Sequence, residues 1–244
     1  MTVQTDDSML ADPPALQHEQ QRIALVAGAS GLVGTALCNQ LRRDRRFAPV
    51  VVLARRQPAI SEPPLQVEIV DFSRIGEWDP SVSLDTVFCA LGTTIKQAGS
   101  EAAFRAVDFD LVLEMARLAK RGNARHFIFV SSLGADPGSR VFYLRVKGEA
   151  EEAVKALGLS HVAVLRPSFL DGNRTTPRPG ERAARMVGRI LKPVLIGPLE
   201  KYRPTPAEKV AEAMRYVSQP GREGYEVLDP VAISRWQERT SLLG

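Results

Sequence analysis

Tyr143 and Lys147 stand four residues apart in Tyr143-Leu144-Arg145-Val146-Lys147. On a helix that spacing places both side chains on one face. A phenol is a poor acid or base at neutral pH, with an ordinary pKa of about 10. A neighbouring ammonium stabilises the phenolate and lowers that value. Such a pair could protonate a carbonyl as hydride arrives, or take the proton of an alcohol in reverse. Ser131-Ser132 ends an apolar run just upstream and offers a hydroxyl to the same oxygen.

A Tyr-x-x-x-Lys pattern recurs by chance and gains meaning from a second pattern near the start. Gly28-Ala29-Ser30-Gly31-Leu32-Val33-Gly34 follows a short apolar run and opens a helical one. In that context Gly28 permits a tight turn, Gly31 lets the backbone approach a pyrophosphate, and Gly34 lets helix and strand pack closely. The phosphates would meet the free N–H groups and positive dipole end of the helix. The next strand ends in Leu53-Ala54-Arg55-Arg56. No acid is present there to bind a ribose 2′-hydroxyl, and arginine accepts a 2′-phosphate, so NADP(H) is expected over NAD(H). Asp71, after the third strand, falls where adenine is often held; it reads equally as a turn aspartate.

The elements that must position these residues follow from hydrophobic rhythm. Strand-length apolar runs occur at Arg22–Ala27, Val50–Leu53, Val67–Val70, Thr86–Cys89, His126–Val130 and Val162–Leu165. Helical patterns separate them: Leu32–Arg43 with Val33, Leu37 and Leu41 on one face, then Phe104, Val107, Leu111, Met115 and Leu118 at helical intervals, then Val141–Leu157. Continuous β-branched runs alternating with helices predict a parallel sheet covered on both faces. Right-handed crossovers make it an α/β fold, a Rossmann-like doubly wound parallel sheet. Beyond Leu165 prolines punctuate the chain, with short helices expected at Glu181–Leu191 and Thr205–Val217, a strand at Tyr225–Leu228 and a helix at Ile233–Leu242. Residues 167–244 are read as a small C-terminal cap on a single domain spanning 21–244. Residues 1–20, acidic and without an apolar core, read as a disordered leader rather than a signal peptide.

Composition limits the alternatives. Hydrophobic residues make up 44% and charged residues 25% of the 244 residues, ordinary for a soluble globular protein. The net charge is +4 and the basic residues are scattered, which argues against a nucleic-acid partner. Arg42-Arg43-Asp44-Arg45-Arg46 reads as a solvated helix end. Cys38 and Cys89 read as buried thiols in a reducing compartment. His18, His126 and His161 have no metal-ligand spacing, so no metal is expected. No apolar stretch spans a bilayer, and the expected location is cytoplasmic. Oligomeric state, monomer or homodimer, is left open.

Together these residues resemble the short-chain dehydrogenase/reductase superfamily from Ile23 to about Val217. The serine-to-tyrosine interval is slightly shorter than usual in that superfamily, so Ser131 and Ser132 both stay open, with Ser132 favoured. The closer likeness is to the atypical branch typified by the HIV Tat-interacting oxidoreductase and its bacterial relatives. It is carried by Gly28-Ala29-Ser30-Gly31, Leu53-Ala54-Arg55-Arg56, Cys89-Ala90-Leu91-Gly92-Thr93-Thr94, Val107-Asp108, Ser131-Ser132-x-Gly134-Ala135-Asp136, Tyr143-Leu144-x-Val146-Lys147-Gly148-Glu149, and Leu165-Arg166-Pro167-x-x-Leu170 with Arg178-Pro179-Gly180-Glu181. The resemblance implies an NADPH-binding fold. Ser30, Gly31, Leu32, Val33, Arg55 and Arg56 would hold the adenosine phosphate end. Leu91, Gly92 and Thr93 would lie along the cofactor, Tyr143 and Lys147 would reach its nicotinamide ribose, and Leu170 and Arg178 would close over it.

The expected activity is NADPH-dependent reduction of a carbonyl or related polar small molecule. A protein that binds NADPH for regulation or scaffolding is the alternative. A nucleotide-sugar epimerase or dehydratase uses the same pair, but usually needs a larger C-terminal substrate domain.

Overall fold

A computed structural model describes residues 21–80, 82–171 and 197–240. Its centre is a seven-stranded sheet: β1 (Arg22–Ala27), β2 (Phe47–Ala54), β3 (Leu65–Ile69), β4 (Thr86–Cys89), β5 (His126–Val130), β6 (His161–Leu165) and, late in the chain, β9 (Gly224–Leu228). The order is β3-β2-β1-β4-β5-β6-β9, and every pairing is parallel. A small second sheet pairs β7 (Leu170–Asp171) with β8 (Thr205–Pro206).

Successive residues of a strand face opposite sides, and here both sides are apolar. Ala24 and Val26 of β1 face one core with Val50, Val52, Phe88 and Ile128; Leu25 and Ala27 face the other with Leu53, Val87, Phe127 and Phe129. Helix α1 (Leu32–Leu41) covers the first face with Val33, Leu37, Cys38 and Leu41. The second face is covered by a long helical segment. It comprises α3 (Glu101–Arg105), a π-helical stretch over Ala106–Leu111 and α4 (Val112–Arg121), preceded by a separate short helix, α2 (Ile95–Ala98), that buries no residue. Helix α5 (Phe142–Lys155) lies beside α4 on that side and contributes Val154. Burying a Leu or Phe side chain in such a core stabilises by about 1.5–3 kcal/mol. Cys38 and Cys89 are buried and free, and burial pushes each thiol up to about 12.

The C-terminal part departs from the expected cap. Helix α6 (Ala207–Val217) packs against α1, placing Val210, Ala211 and Met214 in the first core. Strand β9 extends the central sheet by pairing with β6. Both therefore belong to the sheet's own layers, because α6 buries its apolar face against α1 and the sheet, and β9 pairs along β6. Thr205 and Pro206, expected in a helix, form β8 instead. Helix α7 (Pro230–Thr240) starts before the expected Ile233, as proline is tolerated in a first helical turn. The leader and the expected helix at Glu181–Leu191 lie outside the described residues.

The basic run after α1 is more than a solvated end. Asp44 is buried and accepts from Arg46 and from Arg215 of α6, at 2.5 and 2.6 Å. Burial alone would raise the pKa of Asp44; the two guanidiniums outweigh it and hold the carboxyl far below the usual range. This clamp ties α1 to α6.

Candidate active site

Strand order reverses between β1 and β4, so the chain leaves their C-terminal ends toward opposite faces. A crevice at such a switch point is where open parallel sheets take ligands. Gly28 follows β1 with φ +94°, a conformation that favours glycine, and a Cβ there would lie 2.5 Å from the Ala90 carbonyl. A Cβ on Gly34 would lie 2.1 Å from the Gly28 oxygen, so α1 seats directly on the turn. Gly31 donates its N–H to the Gly28 carbonyl at 3.0 Å and begins α1 with no side-chain cap. Its own Cβ would meet nothing closer than 3.4 Å. Thr35 Oγ1 donates to the Ala29 carbonyl at 2.9 Å and braces the loop. Ser30 is exposed, Leu32 half-buried and Val33 buried in the first core.

Arg55 and Arg56 are exposed just beyond β2, and neither has an ion-pair partner among the described residues. Asp71 is used as a turn cap: its carboxylate accepts from Ser73 N at 2.9 Å and Ser73 Oγ at 2.8 Å. Those two hydrogen bonds lower its pKa.

The other half of the site forms where β4 and β5 end. Lys147 is 5% exposed, and its Nζ lies 2.8 Å from Asp108 Oδ1 and 3.4 Å from the Val130 carbonyl. Asp108 Oδ2 accepts the Thr93 N–H at 2.9 Å. A Cβ on Gly92 would sit 3.5 Å from Asp108 Oδ1 and 3.8 Å from Lys147 Nζ. Lys147 and the Leu91–Thr93 loop are thus brought together. Burial works against the ammonium, but Asp108, with smaller help from Tyr143 and Cys89, outweighs it and raises the Lys147 pKa. Tyr143 is half-buried one turn earlier on α5, its ring 5.4 Å from that of Phe104.

Helix α5 reaches the strand ends because Gly148 permits it. A Cβ there would lie 2.3 Å from the Asp136–Pro137 backbone, so the loop after β5 crosses the helix at main-chain contact. Within that loop the two serines differ. Ser131 is buried and donates to Glu151, which also accepts a bidentate pair of hydrogen bonds from Arg166. Ser132 is half-buried, and among the described residues its hydroxyl makes only a 3.4 Å contact to the Leu133 carbonyl. Ser131 is therefore committed to the scaffold, and Ser132 has the hydroxyl left to offer.

Leu170 is exposed in β7, paired with Thr205. Arg178 lies outside the described residues. Sequence reasoning assigned no role to Asp108 and overlooked Glu151. The usable signal for Glu151 was its position four residues after Lys147, an acid on the inward face of α5.

A family model for NAD(P)H-binding proteins matches residues 28–190. Protein HTATIP2 of Rattus norvegicus is 39% identical over 170 residues, 68% of this chain and 70% of that protein. The mitochondrial protein fmp52 of Emericella nidulans is 35% identical over 176 residues, 69% of this chain and 75% of that one. Among solved structures, an oxidoreductase of the short-chain dehydrogenase/reductase family from Burkholderia thailandensis superposes with a TM-score of 0.64 at 17% identity, covering 92% and 98% of the two chains. The UDP-glucose 4-epimerase of Thermotoga maritima gives 0.63 at 16%, covering 85% and 76%. At those identities the structures speak for the fold, a Rossmann-like sheet shared by reductases and epimerases. The glycine turn at the switch point, the family match and the relatives agree: the chain belongs to the NAD(P)H-binding family, alongside HTATIP2 and FMP52.

Proposed function

We propose that this protein is an NADPH-dependent oxidoreductase that reduces a carbonyl of a polar small molecule, with Tyr143 as proton donor. One observation carries the reading: the charged end of Lys147 is buried at the ends of β4 and β5, beside the Gly92–Thr93 backbone and one turn from Tyr143. A buried ammonium beside a phenol stabilises the phenolate that proton donation leaves behind.

The residues fit a dinucleotide. The protein itself leaves room for a side chain at Gly31, so glycine there serves a ligand that approaches from outside. The uncapped start of α1 offers main-chain N–H groups of Leu32 and Val33 to phosphate oxygens. Arg55 and Arg56 are exposed at the end of β2, with no acid beside them, which favours a 2′-phosphate. Bound NADPH supplies the hydride. Ser132 and Tyr143 hydrogen-bond the carbonyl oxygen, Tyr143 donates its proton there, and Lys147 stabilises the phenolate left behind and meets the nicotinamide ribose. The FMP52 relatives are named mitochondrial, and fractionation of cells tests that location against the expected cytoplasmic one.

The test is a fluorescence titration with NADPH and NADH, followed by a carbonyl panel with NADPH oxidation as the readout. Tight NADPH binding with turnover of a panel member is expected. NADPH binding with no turnover across the panel would favour a cofactor-binding regulatory or scaffold protein instead.

A further inference from the structure

The apolar spacing of the sequence puts Val107 and Leu111 on the buried face of one continuous helix. The structure instead has a π-helical stretch at Ala106–Leu111, and the buried face runs through Phe104, Asp108 and Val112. A π turn inserts an extra residue and rotates what precedes it, a device found often at functional sites. Val107 and Leu111 end half-buried, while Asp108 is 1% exposed between buried Phe104 and Val112. The fold has exchanged an apolar residue for a carboxylate at an inward position.

Both oxygens of that carboxylate are used. Oδ2 is fixed by the Thr93 N–H, and Oδ1 faces the Lys147 ammonium. A lone buried ammonium tends to shed its proton, and a lone buried carboxylate to take one up. Here the Asp108 carboxylate keeps the Lys147 ammonium charged. The groups facing Lys147 are Asp108 from the π stretch, Tyr143 from its own helix, Cys89 from β4 and the Val130 carbonyl from β5.

We propose that Asp108 is a positioning residue for Lys147, a buried counter-ion that fixes the ammonium to the Leu91–Thr93 loop as one unit before any ligand arrives. The lysine expected to meet the nicotinamide ribose and the loop expected to run along the cofactor then share one anchor. This inference rests on the reading of Lys147 as a cofactor contact, but its test needs neither cofactor nor substrate.

The experiment follows the Lys147 side-chain carbon by NMR against pH in protein labelled at lysine, assigned with Lys147→Met. Thr93 amide exchange is read in the same samples. In the wild type the Lys147 signal should stay in its charged position to about pH 10. Asp108→Asn keeps an acceptor for Thr93 and removes the charge. Its Lys147 midpoint should fall by about 1 pH unit or more, with Thr93 still protected. Asp108→Ala should lose both. If a variant folds poorly, Asp108→Asn combined with Lys147→Met should be more stable than either single variant, since only the double variant leaves no unpaired buried charge. Once a substrate is known, the alkaline limb of turnover should move to lower pH in Asp108→Asn, a change that a merely structural role would not cause. A Lys147 signal unmoved in folded Asp108→Asn, or a double variant no more stable than Asp108→Asn, overturns the proposal. Failure of the carbonyl panel alone would leave these readouts intact.

Discussion

Ser131 donates its hydroxyl to the buried carboxylate of Glu151, and this separates two adjacent serines by role. Glu151 joins α5 to the end of β6 through Arg166, so Ser131 closes a network that holds α5 against the sheet. Ser131→Ala removes one donor from a buried carboxylate and should cost about 1–3 kcal/mol of stability in denaturant unfolding. Ser132→Ala should leave stability within about 0.5 kcal/mol and lower turnover by about 10²-fold, the scale for losing one donor to a reacting oxygen. The reverse pattern would exchange the two assignments.

The glycines of the turn should respond differently to the same methyl group. Gly34→Ala forces a Cβ to 2.1 Å from the Gly28 carbonyl, so α1 must lift from the turn. A loss of about 1–3 kcal/mol or more is expected, by thermal or denaturant unfolding. Gly31→Ala has room inside the protein and should unfold like the wild type, yet weaken NADPH because its methyl occupies the approach path. Equal stability losses at both positions would remove the argument for a ligand at Gly31.

Arg55 and Arg56 should set cofactor choice. Replacing both with Ala removes charge-assisted contacts worth about 1.5–3 kcal/mol, or roughly ten- to a hundredfold in NADPH affinity, with little change for NADH. A wild type that prefers NADH would contradict the reading of the β2 end.

Much of this was legible from residue order. Strands β1, β4 and β5 fall where their runs were expected, because they are covered on both faces and are continuously apolar after their first residue. The Tyr143/Lys147 helix was legible from periodicity and its stop at Gly158. Two features were not. Asp108 falls between Phe104 and Val112 at ordinary helical spacing, but an acid at an inward position breaks the apolar pattern and reads as surface. The role of α6 and β9 was hidden by the prolines before them, which resemble the start of a separate cap; their burial depends on α1 and β6, partners far away in sequence.

The histidines show the same limit. His126 and His161 carry no ligand spacing in the chain, yet they head neighbouring strands and meet with Nδ1 atoms 2.9 Å apart, while His161 Nε2 lies 3.0 Å from Glu226. Burial, then the neighbouring His161, lowers His126 to about 4. The unfolded chain therefore binds a proton near pH 6.5 that the folded protein refuses. Stability from this site is complete above about pH 6.5 and falls as pH drops toward 4, by about 1–3 kcal/mol in all. His126→Gln should flatten that part of the stability curve relative to wild type. An unchanged slope would show that the pair takes up protons as freely as the unfolded chain.

The central claim is that Tyr143 donates the proton during hydride transfer. Tyr143→Phe keeps the ring against Phe104 and removes the hydroxyl alone. With the first carbonyl found to be turned over, single-turnover rates of NADPH oxidation should fall by about 10²–10⁴-fold in this variant, while its NADPH titration curve stays close to wild type. Oxidation at the wild-type rate by a variant that binds NADPH normally would contradict the mechanism.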